Sequence, residues 1–188
     1  MASTSEIRNG LCIKHNHDIY TVVEFLHVKP GKGAAFVRTK LKSLTTGRVL
    51  DQTFPAGHKI EIVRVERRKF QFLYKDDMGF NLMDNETYEQ ISMSEDQIDR
   101  SNLIKEGMQI EVLFNTADDK PLTVELQPHV ELEVTYTEPG VKGDTATNTL
   151  KPATVETGAE IRVPLFINVG DVVKIDTRTG AYVERVKK

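Results

Sequence analysis

Short runs rich in β-branched and aromatic residues recur along the whole chain, separated by Gly, Asn, Asp and Pro. Such runs between turn-forming residues are typical of β-strands joined by hairpins. The pattern predicts strands over residues 11–13, 19–28, 35–44, 49–54 and 59–65; over 70–74, 79–83, 88–91, 108–114 and 122–126; and over 130–136, 154–155, 160–166, 172–176 and 182–186. Groups of five short strands with hairpin connections suggest an all-β chain built from small barrels.

The length of 188 residues suits one large domain or two to three small ones, and charge divides the chain unevenly. Residues 1–65 hold 10 Lys and Arg against 5 Asp and Glu, 66–128 hold 7 against 14, and 129–188 hold 8 against 9. The balance suggests that only the first part must lie on phosphate. The acidic middle would face solvent or a basic protein.

Between the predicted strands 19–28 and 35–44 lies Lys29-Pro30-Gly31-Lys32-Gly33, named here the Lys32 loop. Pro30 fixes its own φ, and Gly31 and Gly33 allow positive φ on both sides of Lys32, so the lysine is displayed without neighbouring bulk. Residues 25–50 contain no acid. The bases of that segment form an electrostatic footprint for phosphates; they are Lys29, Lys32, Arg38, Lys40, Lys42 and Arg48.

Three interpretations of the Lys32 loop follow from these residues alone. It is a basic surface turn, a phosphate-binding P-loop, or a projecting amine that meets a polyanion or a modifying enzyme. The P-loop fails because that motif opens a helix, whereas Gly33 is followed by Ala34 and a strand. The local charge favours the projecting amine over the plain turn.

No catalytic, cofactor or metal site is expected from the remaining residues. His15, His17 and Asp18 could ligate a metal, but nothing nearby completes a tetrahedral set, so a polar turn is the better account. A cluster of carboxylates in the middle of the chain is expected to be a solvated face because no apolar pocket or partner base accompanies it. It comprises Asp84, Glu86, Glu89, Glu95, Asp96 and Asp99.

Two further local features carry expectations. Ser94 would cap a short helix, with Gln97 in the capping-box position. Cys12 is the one cysteine of the chain and is expected to be buried and inert. A lone cysteine, an N-terminus without a signal-peptide core and the lack of an apolar run of ~20 residues together predict the cytoplasm and no membrane.

Motifs spread in order along the chain resemble bacterial translation elongation factor P, a family homologous to the hypusine-containing initiation factor of archaea and eukaryotes. The stretch Lys29 to Arg38 resembles the tip of that family's first domain. Its second signature is matched by Lys151-Pro152-Ala153-Thr154, Gly158, Ile161, Val163-Pro164 and Val169-Gly170, and further matches are Asp84 to Gln90 and Pro139 to Ala146.

This resemblance implies three small β-barrels in an L shape similar in outline to tRNA. Residues 1–65 would form a KOW/SH3-like barrel carrying Lys32, 66–128 an OB-fold domain and 129–188 a second OB-fold domain. The family binds the 70S ribosome between the peptidyl-tRNA and exit sites and relieves stalling at consecutive prolines. A monomeric, non-enzymatic factor is implied, whose partners are prolyl peptidyl-tRNA, rRNA, the large-subunit stalk protein and a lysine-modifying enzyme.

By the same resemblance, Lys32 is the modified lysine that reaches the acceptor end of peptidyl-tRNA. A lysine there argues against rhamnosylation and leaves β-lysylation, an aminopentanol-type cap or no modification. Lys29, Arg38, Lys40, Lys42 and Arg48 would anchor the first domain on tRNA or rRNA phosphates. A loop near the exit-site codon would comprise Gly143, Asp144, Thr145, Ala146 and Thr147.

Two competing functions stay open on the sequence alone. A general single-strand RNA-binding module would bind free RNA oligomers through aromatic platforms, but the acidic middle and 7% aromatic content speak against it. An enzyme using the Lys32 amine as a nucleophile would need a desolvated pocket. An exposed tip flanked by glycines offers no such pocket.

Overall fold

The computed structural model describes residues 2–139 and 149–187, and the regular structure there is almost entirely β-strand. The strands are β1 (Ala2–Ser3), β2 (Cys12–His15), β3 (Asp18–Val28), β4 (Phe36–Ser43), β5 (Val49–Pro55), β6 (Lys59–Ile62), β7 (Val65–Asp76), β8 (Gly79–Asp84), β9 (Gln90–Met93), β10 (Gln109–Asn115), β11 (Lys120–Glu125), β12 (His129–Thr137), β13 (Leu150–Val155), β14 (Glu160–Pro164), β15 (Val172–Asp176) and β16 (Ala181–Arg185). Single 3-10 turns lie at Thr4–Glu6, Glu95–Gln97 and Ser101–Leu103. The all-β prediction is confirmed, and no helix in this part of the chain could cross a membrane.

The strands of the described ranges form three antiparallel sheets. The first has the order β1-β6-β2-β3-β4-β5, the second β11-β10-β7-β8-β9 and the third β14-β13-β12-β15-β16. Val65 begins the second sheet instead of ending the first, so the predicted strand 59–65 stops early, at Ile62. The division into domains 1–65, 66–128 and 129–188 stays a prediction.

Alternating side chains place an apolar core inside each sheet. In β12, Val130, Leu132 and Val134 are buried while Glu131 and Glu133 are exposed, as period-2 alternation predicts. Each core side chain removed from water contributes about 1.5–3 kcal/mol. The three cores are centred on Ile13, Val22 and Leu41; on Phe70, Leu82 and Val112; and on Leu132, Val163 and Ile175.

The structure moves one predicted strand and shortens a predicted helix. Tyr88 has φ 61°, which ends the extended backbone, so β9 begins at Gln90 and not at residue 88. After Ser94 there is one 3-10 turn, Glu95–Gln97, in place of a longer helix. The capping box is confirmed, since the Ser94 amide donates to Gln97 Oε1 at 3.1 Å.

The segment His15–Asp18, for which a metal site and a polar turn were the two alternatives, forms a polar turn. Asn16 (φ 47°) and His17 (φ 65°) form the two-residue connection of the β2–β3 hairpin. The Asp18 carboxylate accepts hydrogen bonds from the hydroxyls of Ser43 (2.7 Å) and Thr45 (2.6 Å). Within residues 2–139 and 149–187 no three His, Cys, Asp or Glu side chains group as metal ligands.

Candidate functional site

Three paired strands support the Lys32 loop. β3 and β4 pair up to Val28 and Phe36, so residues 29–35 connect them. β4 also pairs with β5 along its length, ending at Phe36 opposite Pro55. The loop therefore projects from the end of a three-stranded ribbon, which is stiffer than a two-stranded hairpin alone.

The two glycines of the loop differ in backbone conformation. Gly33 has φ +110°, a value that side-chain-bearing residues rarely adopt, and a Cβ there would lie 3.8 Å from Pro30 Cγ. Gly31 is outside the positive-φ region, and a Cβ there would have no neighbour within 4 Å. Of the two glycines that allow positive φ, Gly33 therefore uses this freedom, whereas Gly31 supplies open space beside Lys32.

The loop lysines are exposed and electrostatically unengaged. Lys29 and Lys32 both face solvent, and no ion pair or side-chain hydrogen bond joins either of them to another described residue. Arg38 is also exposed, and its guanidinium lies over the Phe36 ring at 5.5 Å from the centroid. A cation on an aromatic face keeps its charge and gains orientation.

Two of the predicted phosphate-binding cations are paired with carboxylates. Lys40 Nζ lies 3.0 Å from Glu24, and this hydrogen bond raises the pKa of Lys40. Lys42 Nζ lies 2.5 Å from Asp99, which belongs to the second sheet's part of the chain. The positive charge of residues 25–50 is therefore partly compensated, contrary to the uncompensated segment inferred from the sequence. Both carboxylates, Glu24 and Asp99, lie outside residues 25–50, the segment that contains no acid.

The carboxylate cluster of the middle part has structural partners. Asp84 is buried and accepts the amides of Glu86 (2.7 Å) and Thr87 (3.1 Å), which fixes that turn. Glu95 bonds Lys75 at 2.9 Å, and this contact is the main cause that lowers the pKa of Glu95. These roles favour the non-catalytic interpretation, although the cluster is not purely a solvated face.

Cys12 lies between the first two sheets. Its side chain is 4% exposed and clusters with Leu44 and Leu122. Burial raises the pKa of the Cys12 thiol, which disfavours the reactive thiolate. The expectation of a buried cysteine is confirmed. The predicted exit-site loop, 143–147, lies outside the described residues and stays a prediction.

Comparison with known proteins identifies the family. Models of the elongation factor P (EF-P) KOW-like domain, the EF-P OB domain and the elongation factor P C-terminal domain match residues 3–60, 65–124 and 130–185. Elongation factor P of Flavobacterium johnsoniae is 64% identical over 188 residues, covering 100% of both chains. The chain belongs to the elongation factor P family.

Other members of this family of translation factors are similar over the same length. Elongation factor P of Pelotomaculum thermopropionicum is 54% identical over 187 residues, which is 99% of this chain and 100% of that protein. Among solved structures, eukaryotic translation initiation factor 5A from Methanococcus jannaschii has a TM-score of 0.49 and 21% identity, over 65% of this chain and 94% of that one. The predicted KOW-like and OB folds are confirmed by the family models.

Proposed function

We propose that this chain binds the ribosome between the peptidyl-tRNA and exit sites and speeds peptide-bond formation when consecutive prolines stall it. The observation that carries the proposal is the Lys32 amine, exposed at the end of a three-stranded ribbon and without a partner among the described residues. Membership of the elongation factor P family supports a role in translation.

The proposed mechanism is positioning. Proline is a poor nucleophile and restricts the nascent chain, so the donor tRNA can sit unproductively on the ribosome. Holding a reactant in its reactive geometry can supply several kcal/mol of barrier reduction without an acid or base from the protein. A cationic arm on the acceptor end of peptidyl-tRNA suits this task, and a modification of Lys32 by a dedicated enzyme would lengthen it.

The cations of the first domain would contribute unequally to RNA binding. Lys29, Arg38 and Arg48 are exposed and form no ion pair with any residue in the described ranges, so they can meet phosphate directly. Lys40 and Lys42 must first leave Glu24 and Asp99. Each phosphate contact formed steepens the slope of the logarithm of the binding constant against the logarithm of salt concentration by about one.

The remaining parts of the proposal concern the whole chain. Domains 1–65, 66–128 and 129–188 would form an L that spans from the acceptor end to the small subunit. The 143–147 loop would lie near the exit-site codon, and the large-subunit stalk protein would contact the factor. We propose a monomeric cytoplasmic factor without catalytic activity of its own.

The experiment is reconstituted translation of a template with three consecutive proline codons and of a proline-free template. Lys32→Ala is expected to abolish stimulation on the proline template and to unfold no more easily, because exposed loop changes cost little. Lys14→Ala is the matched control, since Lys14 is an exposed lysine of the same sheet on β2. Lys32→Arg keeps the charge but blocks amine modification, and intact-mass spectrometry of the native protein identifies any group carried.

Full stimulation by Lys32→Ala would refute the proposed mechanism. Equal loss in Lys32→Ala and Lys14→Ala would point to general electrostatics instead of a specific amine. Tight binding of free RNA oligomers, unaffected by Lys32→Ala, would favour the single-strand RNA-binding module.

A further inference from the structure

We propose that Thr4 is a positioning residue for the Lys32 loop and acts through the turn Pro55–His58. The inference rests on the proposed function of Lys32 and adds a residue that no sequence pattern indicated. The N-terminal segment of the chain, the turn and the loop are joined in series by hydrogen bonds.

The N-terminal segment is anchored to the first sheet. β1 pairs with β6, with Ala2 opposite Ile60 and Ser3 opposite Lys59. The 3-10 turn Thr4–Glu6 follows, and the Ser3 amide donates to Glu6 Oε1 at 3.1 Å. Thr4 itself is 2% exposed, which is unusual for a threonine because this residue type is mostly exposed. A buried hydroxyl in such a place requires hydrogen-bond partners.

Thr4 holds the turn Pro55–His58 by two contacts. The Gly57 amide donates to Thr4 Oγ1 at 2.9 Å, and the Thr4 amide donates to the His58 carbonyl at 3.2 Å. Within the turn, the His58 amide donates to the Pro55 carbonyl at 3.1 Å. The turn is therefore fixed both internally and from the N-terminal segment.

The same turn holds the exit of the Lys32 loop. The Ala56 amide, next to Gly57, donates to the Ala35 carbonyl at 2.9 Å. Ala35 lies two residues after Gly33, and Phe36 then pairs with Pro55 in the ladder. A displacement of the turn must move the point from which the loop leaves the sheet.

A recess of about 350 Å³ lies between the N-terminal segment and the base of the loop. Because this recess separates the two, Thr4 acts on the loop through the turn and not by direct contact. Thr4, Lys29, Ala35 and Gly57 are among its lining residues. The hydrogen-bonded path Thr4–Gly57–Ala56–Ala35 runs along the wall of that recess. Losing the first bond would leave the Gly57 amide without its acceptor and loosen the path.

The decisive measurement is the NMR of three variants of the full chain. Thr4→Val keeps the shape but removes the acceptor, and Thr4→Ser keeps the hydroxyl. Thr39→Val is the control, since Thr39 is 3% exposed in the same sheet and its hydroxyl donates to the Gln52 carbonyl at 2.8 Å. It thus loses a comparable buried hydroxyl away from the path.

In Thr4→Val, amide exchange at Gly57 and Ala56 should accelerate about tenfold, the expected loss of one hydrogen bond. Backbone order parameters at residues 32–35 should fall as well. Thr4→Ser should behave like wild type, and Thr39→Val should leave both measurements unchanged. Should Thr4→Val not fold, Thr4→Ala deletes the same acceptor without adding a methyl group, and the same outcomes apply to it.

Equal loop order in Thr4→Val and wild type, or equal loosening in Thr39→Val, would overturn the inference. These readouts do not depend on translation, so they decide the role of Thr4 separately from that of Lys32. In the polyproline assay, the loosened loop of Thr4→Val should raise the half-saturating concentration of the factor, and Thr4→Ser should keep the wild-type value. Failure of Lys32→Ala to reduce stimulation would overturn the proposed function while leaving the positioning of the loop to the NMR result.

Discussion

Replacing each glycine of the Lys32 loop by alanine distinguishes the effect of backbone strain, expected at Gly33, from the effect of added side-chain bulk, expected at both positions. Gly33 has φ +110°, well beyond the left-handed well near +57° that an L-residue can reach. Forcing an L-residue into such a region costs about 1–3 kcal/mol. The added Cβ would meet only Pro30 Cγ within 4 Å, at the ordinary contact distance of 3.8 Å, so the cost arises from the backbone. Gly31 has neither feature, and its replacement should change stability by less than about 0.5 kcal/mol.

The strain at position 33 should appear in the loop and not in global unfolding. The loop is exposed and lies outside the first core, so Gly33→Ala can leave the native loop conformation without exposing apolar surface. A cost of about 1–3 kcal/mol lowers the equilibrium constant between that conformation and its alternatives about fivefold to 150-fold. The half-saturating concentration in the polyproline assay should rise by up to the same factor, because only the competent fraction binds.

The assay compares Gly33→Ala, Gly31→Ala and a semisynthetic chain with D-alanine at position 33, which favours positive φ. Urea unfolding checks that all three retain the stability of wild type. D-alanine should restore most of the lost affinity, and Gly31→Ala should resemble wild type. Equal defects in the two alanine variants, or no rescue by D-alanine, would show that bulk at the loop matters and that the φ argument is wrong.

Three further measurements test other contacts. Asp99→Ala should lower the free energy of unfolding by at most about 1 kcal/mol, since the ion pair is partly exposed. It should also release Lys42 and so steepen the slope of the logarithm of the ribosome-binding constant against the logarithm of salt concentration by up to about one. An unchanged slope would contradict this. The side-chain hydrogen bond from Arg178 lowers the pKa of Asp176 to about 2, so its stabilising effect is present above about pH 4 and is lost as pH falls toward about 2. Asp176→Asn should therefore flatten the acid limb of the stability curve, and NMR titration of the carboxyl checks the pKa directly. The Cys12 thiol is buried and has a raised pKa, so it should react with a disulfide reagent at least about a hundredfold more slowly in the native chain than in urea. Comparable rates would show that the contact between the first two sheets around Cys12 is open to solvent.

Local sequence rules predicted the strands where neighbours along the chain decide the structure. The predicted strand 172–176 coincides with β15, and the alternation of β12 matches the buried and exposed faces observed. The β2–β3 turn also follows from local polarity. β1 could not be predicted because two residues, Ala2 and Ser3, carry no periodicity and pair only through the distant β6.

The electrostatics of the site could not be predicted, because charge partners are chosen in space. Counting acids between residues 25 and 50 missed Glu24, which lies just before that window, and Asp99, which is 57 residues from Lys42 along the chain. The importance of Thr4 was invisible for a similar reason, since Gly57, which it contacts, is 53 residues away. The exposure of Lys32, in contrast, could be predicted from a short motif flanked by glycines, and its role stays a prediction.

Under the proposed function, the placement of Lys32 on the ribosome would depend on the joints between the sheets as well as on the loop. The joint between the first and second sheets combines an apolar cluster around Cys12 with the Lys42–Asp99 ion pair. An exposed ion pair weakens with ionic strength, whereas the apolar contact does not. Among residues 2–139 and 149–187, one ion pair therefore makes this joint sensitive to salt, and it involves a lysine that RNA would also attract.

The joint between the second and third sheets combines apolar contact, neutral hydrogen bonds and an ion pair. Met108 and Leu126 pack against both cores, so apolar contact is continuous there. Neutral hydroxyls reinforce it, since Thr157 Oγ1 donates to the Asn102 carbonyl at 2.6 Å and Thr177 Oγ1 donates to the carbonyl of Gln127, the segment joining the sheets, at 2.7 Å. An exposed ion pair also crosses this joint, since Lys105 Nζ lies 3.2 Å from Glu156, and it weakens with ionic strength as the Lys42–Asp99 pair does. The apolar contact and the neutral hydrogen bonds are not screened by salt. Phosphate that draws Lys42 from Asp99 would leave the first joint with its apolar cluster, whereas the second joint would keep its apolar contact, its hydroxyl hydrogen bonds and the Lys105–Glu156 pair.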